Sequence, residues 1–238
     1  MKCVVLQPSY IPWRGYFHQI YKADLFIFYD DVQYDRHGWR NRNRIKTAAG
    51  AKWLTIPLQS TGGRIKETSI CEMRMASETA WARKHFETIR HNYAKAPYFT
   101  RYRPMLDRWY TNPPVSLAEF TIDTTVELAR ELGIAGTKFL RSSSLASEGA
   151  KTDRLLAILK SVGATHYISG PAAKAYLDVE ALQVTGISVE WMSYDYPEYA
   201  QLYPPFDPQL SALDVLLNTG PEACRYIWGS CGTKTRQG

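Results

Sequence analysis

Short apolar runs alternate with helical patterns through the last third of the chain, and this alternation constrains the fold more than any single motif. The apolar runs predict strands at residues 138–140, 166–169 and 187–192, with helical patterns between them. Strands joined through a helix pair in parallel, because the helix returns the chain to the end of the sheet where it started. We therefore expect an α/β fold whose sheet is mostly parallel or mixed and is covered by helices.

The first two thirds of the chain fit the same fold class. Further strands are predicted at residues 3–6, 25–29 and 53–58. Between about residues 77 and 133 the pattern is helical instead. A length of 238 residues suits one large α/β domain, and the sequence contains no repeat and no low-complexity linker. We expect residues 1–238 to form a single domain with a helical insertion at about 77–133.

The cysteines and the amino terminus bear on the compartment. Cys3, Cys71, Cys224 and Cys231 are widely scattered, and no pair of them has metal-ligand spacing. We expect reduced, mostly buried thiols. The amino terminus lacks the apolar core of a secretory signal, and no stretch approaches the ~20 apolar residues of a membrane span. These features predict a cytoplasmic protein without a membrane span.

Two adjacent carboxylates, Asp30 and Asp31, follow the predicted strand 25–29. Such a pair can act as a general base, bind a divalent metal, or stay structural by capping the loop and pairing with an arginine. A metal is not favoured, because no third carboxylate or histidine at a nearby strand end completes a coordination shell, and we expect no cofactor. His18 and His37 are reserve candidates for the base, although a lone histidine is more often structural.

The segment 36–46 contains five Lys or Arg residues and no acid. Arginine forks match phosphate oxygens in pairs, and asparagine amides add neutral donors. The alternation of Arg with Asn predicts an extended segment that presents one row of arginines to a site, while the alternative is a solvated surface. The candidate ligand-binding residues in and beside this segment are Tyr34, Trp39, Arg40, Asn41, Arg42, Asn43 and Lys46.

Ligands of open α/β sheets bind beyond the carboxyl ends of the strands, and candidate residues follow several predicted strands. A helix begins near residue 151, where free N–H groups attract anions. Each group has a structural alternative, as loop packing or solvated surface. The additional candidates for substrate binding are Gln7, Pro8, Tyr10, Trp13, Lys151, Thr152, Arg154, Ser169, Gly170 and Tyr194.

A single site at this edge of the sheet is the simplest expectation. We expect one cleft to be lined by four residues that each follow a predicted apolar strand, namely Gln7, Asp30, Arg42 and Ser169. The sequence contains no P-loop, no dinucleotide fingerprint and no Gly-x-Ser-x-Gly elbow. The phosphate-binding and nucleophile motifs of those enzyme classes are therefore absent.

Several motifs together resemble the WbqC-like family. They occur in the order "LQPSYIPWRGYF", "ADLFIFYDDVQY", "GWRNRNRIK", "WLTIPL", "HNYAKAPYF", "KTDRLLAILKSVGATHYISGPAAKAYL" and "SYDYPEYAQLYPPFDPQLSALDVLLNTGPE". The resemblance spans nearly the whole chain and departs from the family pattern at Ser9-Tyr10-Ile11. It implies a role in the biosynthesis of O-antigen or another surface polysaccharide, or of a modified sugar. It also implies acyl or aminoacyl transfer to an amino sugar.

The residues and the resemblance lead to one functional expectation with two alternatives. The expectation is a transferase that binds a nucleotide-linked sugar and receives its acyl or aminoacyl group from a donor such as a carrier protein or coenzyme A. The first alternative is a non-catalytic binding or assembly factor of a glycan pathway. The second is a nucleic-acid-binding protein, which is less favoured because acidic residues are evenly distributed along the rest of the chain.

Overall fold

The computed structural model of the protein describes residues 1–60, 67–76, 80–145 and 147–231. The start of the predicted helical insertion, residues 77–79, lies outside the described residues. The strands are β1 (Lys2–Leu6), β2 (Leu25–Phe28), β3 (Arg42–Thr47), β4 (Gly50–Thr55), β5 (Lys138–Arg141), β6 (His166–Ser169) and β7 (Ser188–Trp191).

Five of these strands form one parallel sheet in the order β5-β2-β1-β6-β7. This confirms the predicted α/β fold class. The predicted strand at 53–58 does not join this sheet. The residues that form it begin earlier, as β4, and pair antiparallel with β3 to make a separate hairpin. The hairpin carries the basic segment, so the prediction of an extended basic segment is correct from Arg42 onward.

Helices cover the sheet and fill the long interval between β4 and β5, where the sequence predicts a helical insertion. They are α1 (Arg14–Lys22), α2 (Trp81–Tyr93), α3 (Phe99–Thr111), α4 (Leu117–Glu131), α5 (Lys151–Ser161), α6 (Val179–Val184) and α7 (Ala212–Thr219). Short 3₁₀ turns add residues 142–144 after β5 and 171–175 after β6. The backbone N–H of Glu119 donates to Ser116 Oγ, which caps α4.

The two faces of the sheet belong to two apolar clusters. Val4 and Phe26 pack into the larger cluster with α1, α2, α3, α4 and α7. Val5 and Ile27 point the other way and pack with α5 and α6. Successive residues of a strand face opposite sides of the sheet, so each run must be apolar throughout to be buried on both faces. This is why β1 and β2, near the centre of the sheet, are nearly continuous apolar runs.

The order of the strands reverses at β1. The chain passes from β1 to β2 and β5 on one side, then crosses to β6 and β7 on the other. The connections therefore leave β1 and β6 in opposite directions, and a crevice opens beyond the carboxyl ends of these two strands. In open α/β sheets this is the position where ligands bind.

Two further observations concern the cysteines and the membrane. Cys224 and Cys231 form a disulfide with a Cα–Cα distance of 5.2 Å, so the expectation that every thiol is reduced is wrong for this pair. Cys3 and Cys71 are free thiols. In the described residues, no helix combines the length and the apolarity needed to cross a bilayer.

Candidate functional site

A pocket of about 530 Å³ lies at the reversal point, beyond the carboxyl ends of β1 and β6. Its volume falls within the range of about 300–1,000 Å³ that is usual for small-molecule sites. The pocket is lined by Val5, Leu6, Ser9, Pro12, Trp13, Tyr16, Gln19, Trp39, Arg40, Asn43, Tyr167, Ser169, Gly170, Pro171, Ala172, Ala173, Tyr176, Tyr194 and Gln209.

The lining changes from buried to exposed across the pocket. Ser9, Gln19 and Ser169 are at most 5 % exposed and form its floor. Trp39 is 42 % exposed and Tyr176 is 76 % exposed, and these two rings form its rim. Single exposed hydrophobic side chains are common, whereas a contiguous exposed apolar surface often marks a binding site. The rim therefore differs from the floor in chemistry as well as in depth.

One wall of the pocket consists of the aromatic rings of Trp13 and Tyr194, which pack closely against each other and against two glycines. The Trp13 ring lies over Gly15 so closely that a Cβ at position 15 would be 2.3 Å from it. The rings of Trp13 and Tyr194 pack edge to face, with their centroids 4.9 Å apart. Tyr194 Oη would be 3.1 Å from a Cβ at position 170, where the chain has Gly170. The two glycines thus allow this wall its shape.

Arg40 is the charged residue of the lining. Its Nη1 donates to Gln7 Oε1 at 2.6 Å, and its Nε is buried without a hydrogen-bond partner. None of the ion pairs found among the described residues includes Arg40. Burial lowers the pKa of the guanidinium, and the smaller effects of Tyr16 and Asp35 raise it. An anion in the pocket would compensate this charge.

A clamp between two loops holds Arg40 beside the end of β1. The backbone N–H of Tyr10 donates to the carbonyl oxygens of Trp39 and Arg40. Asn43 Nδ2 donates to the carbonyls of Tyr10 and Ile11, at 3.2 and 2.8 Å. Ile11 has a φ of 35°, which is costly for a β-branched residue. Asn43 lines the pocket, but its amide group is already occupied in stabilising this strained loop.

Tyr10 itself is fully buried and does not line the pocket. Its hydroxyl contacts His85 Nδ1 at 2.9 Å and Tyr110 Oη at 2.5 Å. The prediction that Tyr10 contacts substrate is therefore replaced by a role in the core between β1 and the helical insertion. Pro8 is also buried and lies outside the lining.

Asp30 has no exposed surface and accepts hydrogen bonds from three residues. Its Oδ2 accepts from Arg141 Nε at 2.7 Å and from Ser143 Oγ at 2.9 Å. Its Oδ1 accepts from the Ser143 N–H at 3.0 Å and from Ser142 Oγ at 3.2 Å. This carboxylate joins the residues that follow β2 to the end of β5. Because both of its oxygens are buried and hydrogen-bonded, it is not available to a substrate.

Asp31 lies beside it and is also paired. It accepts from Ser142 Oγ and from Arg154 Nη2, each at 2.5 Å. Thr152 Oγ1 accepts from the Asp178 N–H, and Lys151 is exposed. Arg154 thus pairs with Asp31, Thr152 contacts Asp178, and none of these three residues at the start of α5 lines the pocket. Within the described residues, no cluster of His, Cys, Asp and Glu has the arrangement of a metal site.

The rest of the basic segment lies apart from the pocket. Arg42 Nη2 donates to the His37 carbonyl at 2.6 Å, and the guanidinium lies 4.9 Å from the centre of the exposed Trp53 ring. The expected row of arginines is interrupted because β3 begins at Arg42, after the turn that directs Arg40 inward. The single cleft expected to hold Gln7, Asp30, Arg42 and Ser169 is not formed.

Two other residues of this region are structural. Asn41 accepts from Tyr34 Oη and donates to the Ile56 carbonyl, both at 2.8 Å, and all three groups are buried. Lys46 is 3 % exposed, and its ammonium group donates to the Pro205 carbonyl. The predicted phosphate-binding roles of Asn41 and Lys46 are replaced by these contacts.

His18 stands behind the aromatic wall. Its Nδ1 lies 3.0 Å from Tyr196 Oη, and burial lowers the pKa of the imidazole to about 4. His18 is therefore neutral at neutral pH. His37 lies on the exposed turn before β3. Neither histidine lines the pocket.

The structure brings together Trp13, Trp39, Arg40, Asn43, Ser169, Gly170 and Tyr194 from the predicted set, with Gln7 behind Arg40. Sequence reasoning missed several residues of the same pocket. Ser9 and Tyr16 belong to the segment LQPSYIPWRGYF, whose aromatic residues already indicated a pocket wall. Tyr176 lies soon after the predicted binding residues Ser169 and Gly170, which is a weaker indication. Gln209 comes from a distant loop, and no sequence pattern indicated it.

Comparisons with known proteins identify a family and a relative. The model of the WbqC-like protein family matches residues 7–226. The chain is 38 % identical over 231 residues to the uncharacterized protein Rv1507c of Mycobacterium tuberculosis, which covers 95 % of this chain and 97 % of that protein. No solved structure matches. The family match includes every loop that forms the pocket.

Proposed function

The chain belongs to the WbqC-like protein family, and from this premise and the pocket between β1 and β6 we propose that it binds a nucleotide-activated sugar. The observation that carries the proposal is Arg40, a partly buried cation with a neutral partner in a pocket rich in aromatic rings. A nucleotide sugar supplies the phosphate that matches an arginine fork and the rings that pack on aromatic side chains.

The polar residues of the floor suit a sugar. Ser9, Ser169 and Gln19 offer donors and acceptors in a nearly buried setting. Burial raises the pKa of both Tyr167 and Tyr194 to about 12, so their phenols are neutral near pH 7. Neutral groups that both donate and accept match sugar hydroxyls and amides better than they match a second charge.

We further propose that the bound sugar is the acceptor of an acyl or aminoacyl group in surface-glycan or modified-sugar biosynthesis, as the family resemblance implies. The donor would be a thioester of coenzyme A or of a carrier protein. The transfer needs a proton acceptor near the attacking amine or hydroxyl. Among the described residues that line the pocket, none is Asp, Glu or His. A donor-borne or sugar-borne group would have to accept the proton.

The lack of an Asp, Glu or His among the described lining residues favours one second candidate, a non-catalytic protein that recognises the nucleotide sugar within a glycan pathway. Such a protein needs the Arg40 site and the aromatic rings, but no base. The two candidates share the ligand and differ in the product. Mass spectrometry of the bound sugar after incubation with acyl-coenzyme A or acyl-carrier protein separates them, because only a transferase adds mass to the sugar.

The binding proposal is tested by thermal shift and calorimetry with UDP-N-acetylglucosamine, UDP-glucose, GDP-mannose and dTDP-glucose. A ligand at about 100 times its Kd stabilises the fold by roughly 2.7 kcal/mol, which raises the Tm by several degrees for a chain of this size. The Arg40→Ala variant should lose most of that shift. Absence of a shift with all four ligands would overturn the proposal. Binding of single-stranded oligonucleotides that weakens steeply with salt would favour a nucleic-acid role instead.

A further inference from the structure

The exposure gradient of the pocket gives the bound ligand a direction. Trp39 and Tyr176 are exposed aromatic rings on different elements, the turn before β3 and the 3₁₀ turn after β6, yet both line the same pocket. Ser9 and Ser169, by contrast, are buried. Arg40 follows Trp39 directly in the chain and is less exposed than either rim ring. Ranked by exposure, these lining residues therefore pass from two aromatic rings through a cation to neutral hydroxyl groups.

The three chemistries match the three parts of a nucleotide sugar in one order. A nucleobase is planar and stacks on aromatic faces, with little demand for specific hydrogen bonds. A diphosphate carries the charge that an arginine fork binds. A hexose needs neutral hydrogen-bonding groups and an aromatic face, which Ser169, Gln19 and Trp13 provide on the inner side.

We infer that the nucleobase binds at the rim between Trp39 and Tyr176, that the diphosphate lies on Arg40, and that the sugar enters the floor beside Ser9 and Ser169. This orientation rests on the proposed function and adds the position of each part of the ligand to it. Stacking at the rim makes the base contribute affinity without strong selection among bases. Selection among sugars then belongs to the enclosed floor.

Trp53 supplies a matched control for the rim. Its ring is 46 % exposed and lies 5.1 Å from the Trp39 ring, but Trp53 does not line the pocket. Removing Trp53 deletes a similar exposed indole from the same surface. If the rim acts only as a general aromatic patch, Trp53→Ala and Trp39→Ala will have the same effect.

The experiment measures Kd by calorimetry for three probes: the nucleotide sugar with the largest thermal shift in the panel above, its nucleoside diphosphate, and its sugar 1-phosphate. Trp39→Ala and Tyr176→Ala should each weaken the nucleotide sugar and the nucleoside diphosphate by about five-fold or more, and leave the sugar 1-phosphate nearly unchanged. Ser169→Val should weaken the nucleotide sugar and the sugar 1-phosphate, and spare the nucleoside diphosphate. Trp53→Ala should weaken the nucleotide sugar and the nucleoside diphosphate by much less than Trp39→Ala, because it removes a ring that packs on Trp39 but does not line the pocket.

Other outcomes overturn the inference in recognisable ways. If the rim variants weaken the sugar 1-phosphate and Ser169→Val weakens the nucleoside diphosphate, the ligand binds in the reverse direction and the proposed function stands. Equal weakening of all three probes by every variant removes the orientation but again leaves nucleotide-sugar binding intact. If wild-type protein binds no nucleotide sugar, the proposed function fails and the orientation fails with it. Far-ultraviolet circular dichroism of each variant identifies any loss of folding.

Discussion

Arg40 donates from Nη1 to Gln7 Oε1 at 2.6 Å, which joins the basic segment to the loop that follows the central strand. A glutamine orients the guanidinium without neutralising it, whereas a carboxylate at position 7 would occupy the site with an internal ion pair. The charge of Arg40 therefore remains available to a ligand, and the two residues together define the anion-binding part of the pocket.

Replacing Arg40 by alanine should weaken nucleotide-sugar binding by about 1.5–3 kcal/mol, the usual value of a hydrogen bond to a charged group. Arg40→Lys should recover part of the lost affinity because it keeps the positive charge. The recovery should be incomplete because lysine lacks the planar fork of the guanidinium. Arg42→Ala is the control: it removes one charge from the same segment but from outside the pocket. Calorimetry that gives equal losses for Arg40→Ala and Arg42→Ala would show that only the general charge of the segment matters.

Asp30→Asn should destabilise the protein rather than change the pocket. The variant leaves Arg141 without its carboxylate and turns one buried acceptor into a donor. We expect the free energy of unfolding to fall by about 3 kcal/mol, at the lower end for a broken buried pair because Arg141 is itself partly exposed. Urea unfolding measures this loss.

Asp31→Asn is the matched variant, and its side chain and that of Arg154 both retain some exposure. The loss of unfolding free energy in Asp31→Asn should be smaller, at about 1 kcal/mol.

One result would contradict the structural role of Asp30. If the Asp30→Asn protein unfolds like wild type but has lost nucleotide-sugar binding, the Asp30 carboxylate belongs to the functional site.

The positions of the sheet strands were predictable because they depend on the local pattern of apolar residues in the sequence. β1 and β2 are short apolar runs, and the alternation of strands with helices is enough to predict parallel pairing. The edge of the sheet that binds ligands follows from that pairing alone. For this reason the sequence predicts that Trp13, Ser169 and Gly170 lie at this edge, and all three line the pocket.

The role of the acid pair was not predictable, because its partners are distant in sequence. Asp30 is paired by Arg141, Ser142 and Ser143, more than a hundred residues away. Strand pairing between β2 and β5 brings them together, and no local pattern encodes that pairing. A charged residue after a strand therefore looks the same in sequence whether it faces a ligand or an ion pair.

The basic segment shows the same limit at shorter range. Arg40 and Arg42 have the spacing of one strand face, and the sequence predicts that they act alike. The strand begins only at Arg42, so the turn before it breaks the alternation and separates the two side chains. The place where a strand begins is set here by the hairpin with β4 and by the clamp from Tyr10.

Gly170→Ala should disturb the wall that Tyr194 forms. The new Cβ would lie 3.1 Å from Tyr194 Oη, closer than ordinary van der Waals contact, so the phenol must shift. We expect a loss of stability of about 1 kcal/mol, as for a mildly overpacked site. In the double variant with Tyr194→Phe, the hydroxyl is absent and that cost should disappear. Additive losses in this cycle, measured by chemical unfolding, would show that Gly170 acts independently of Tyr194.

His85→Gln should make the stability of the protein depend less on pH below neutrality. Burial lowers the pKa of His85 to about 4 in the folded state, against about 6.5 when the chain is unfolded. Between these values the unfolded chain binds the extra proton, so stability rises with pH from about 4 to 6.5 and falls as the solution is acidified through that window. Removing the imidazole should flatten the slope of unfolding free energy by up to about 1.4 kcal/mol per pH unit.

The exposed His166 provides the control for this slope. His166→Gln should leave the pH dependence close to that of wild type, while His85→Gln reduces it whatever its effect on stability at pH 7. Urea unfolding at intervals between pH 4.5 and pH 7 measures both slopes. If the His85→Gln slope equals that of wild type, the imidazole is not held neutral by its burial, and its contact with Tyr10 Oη must be compatible with a protonated ring.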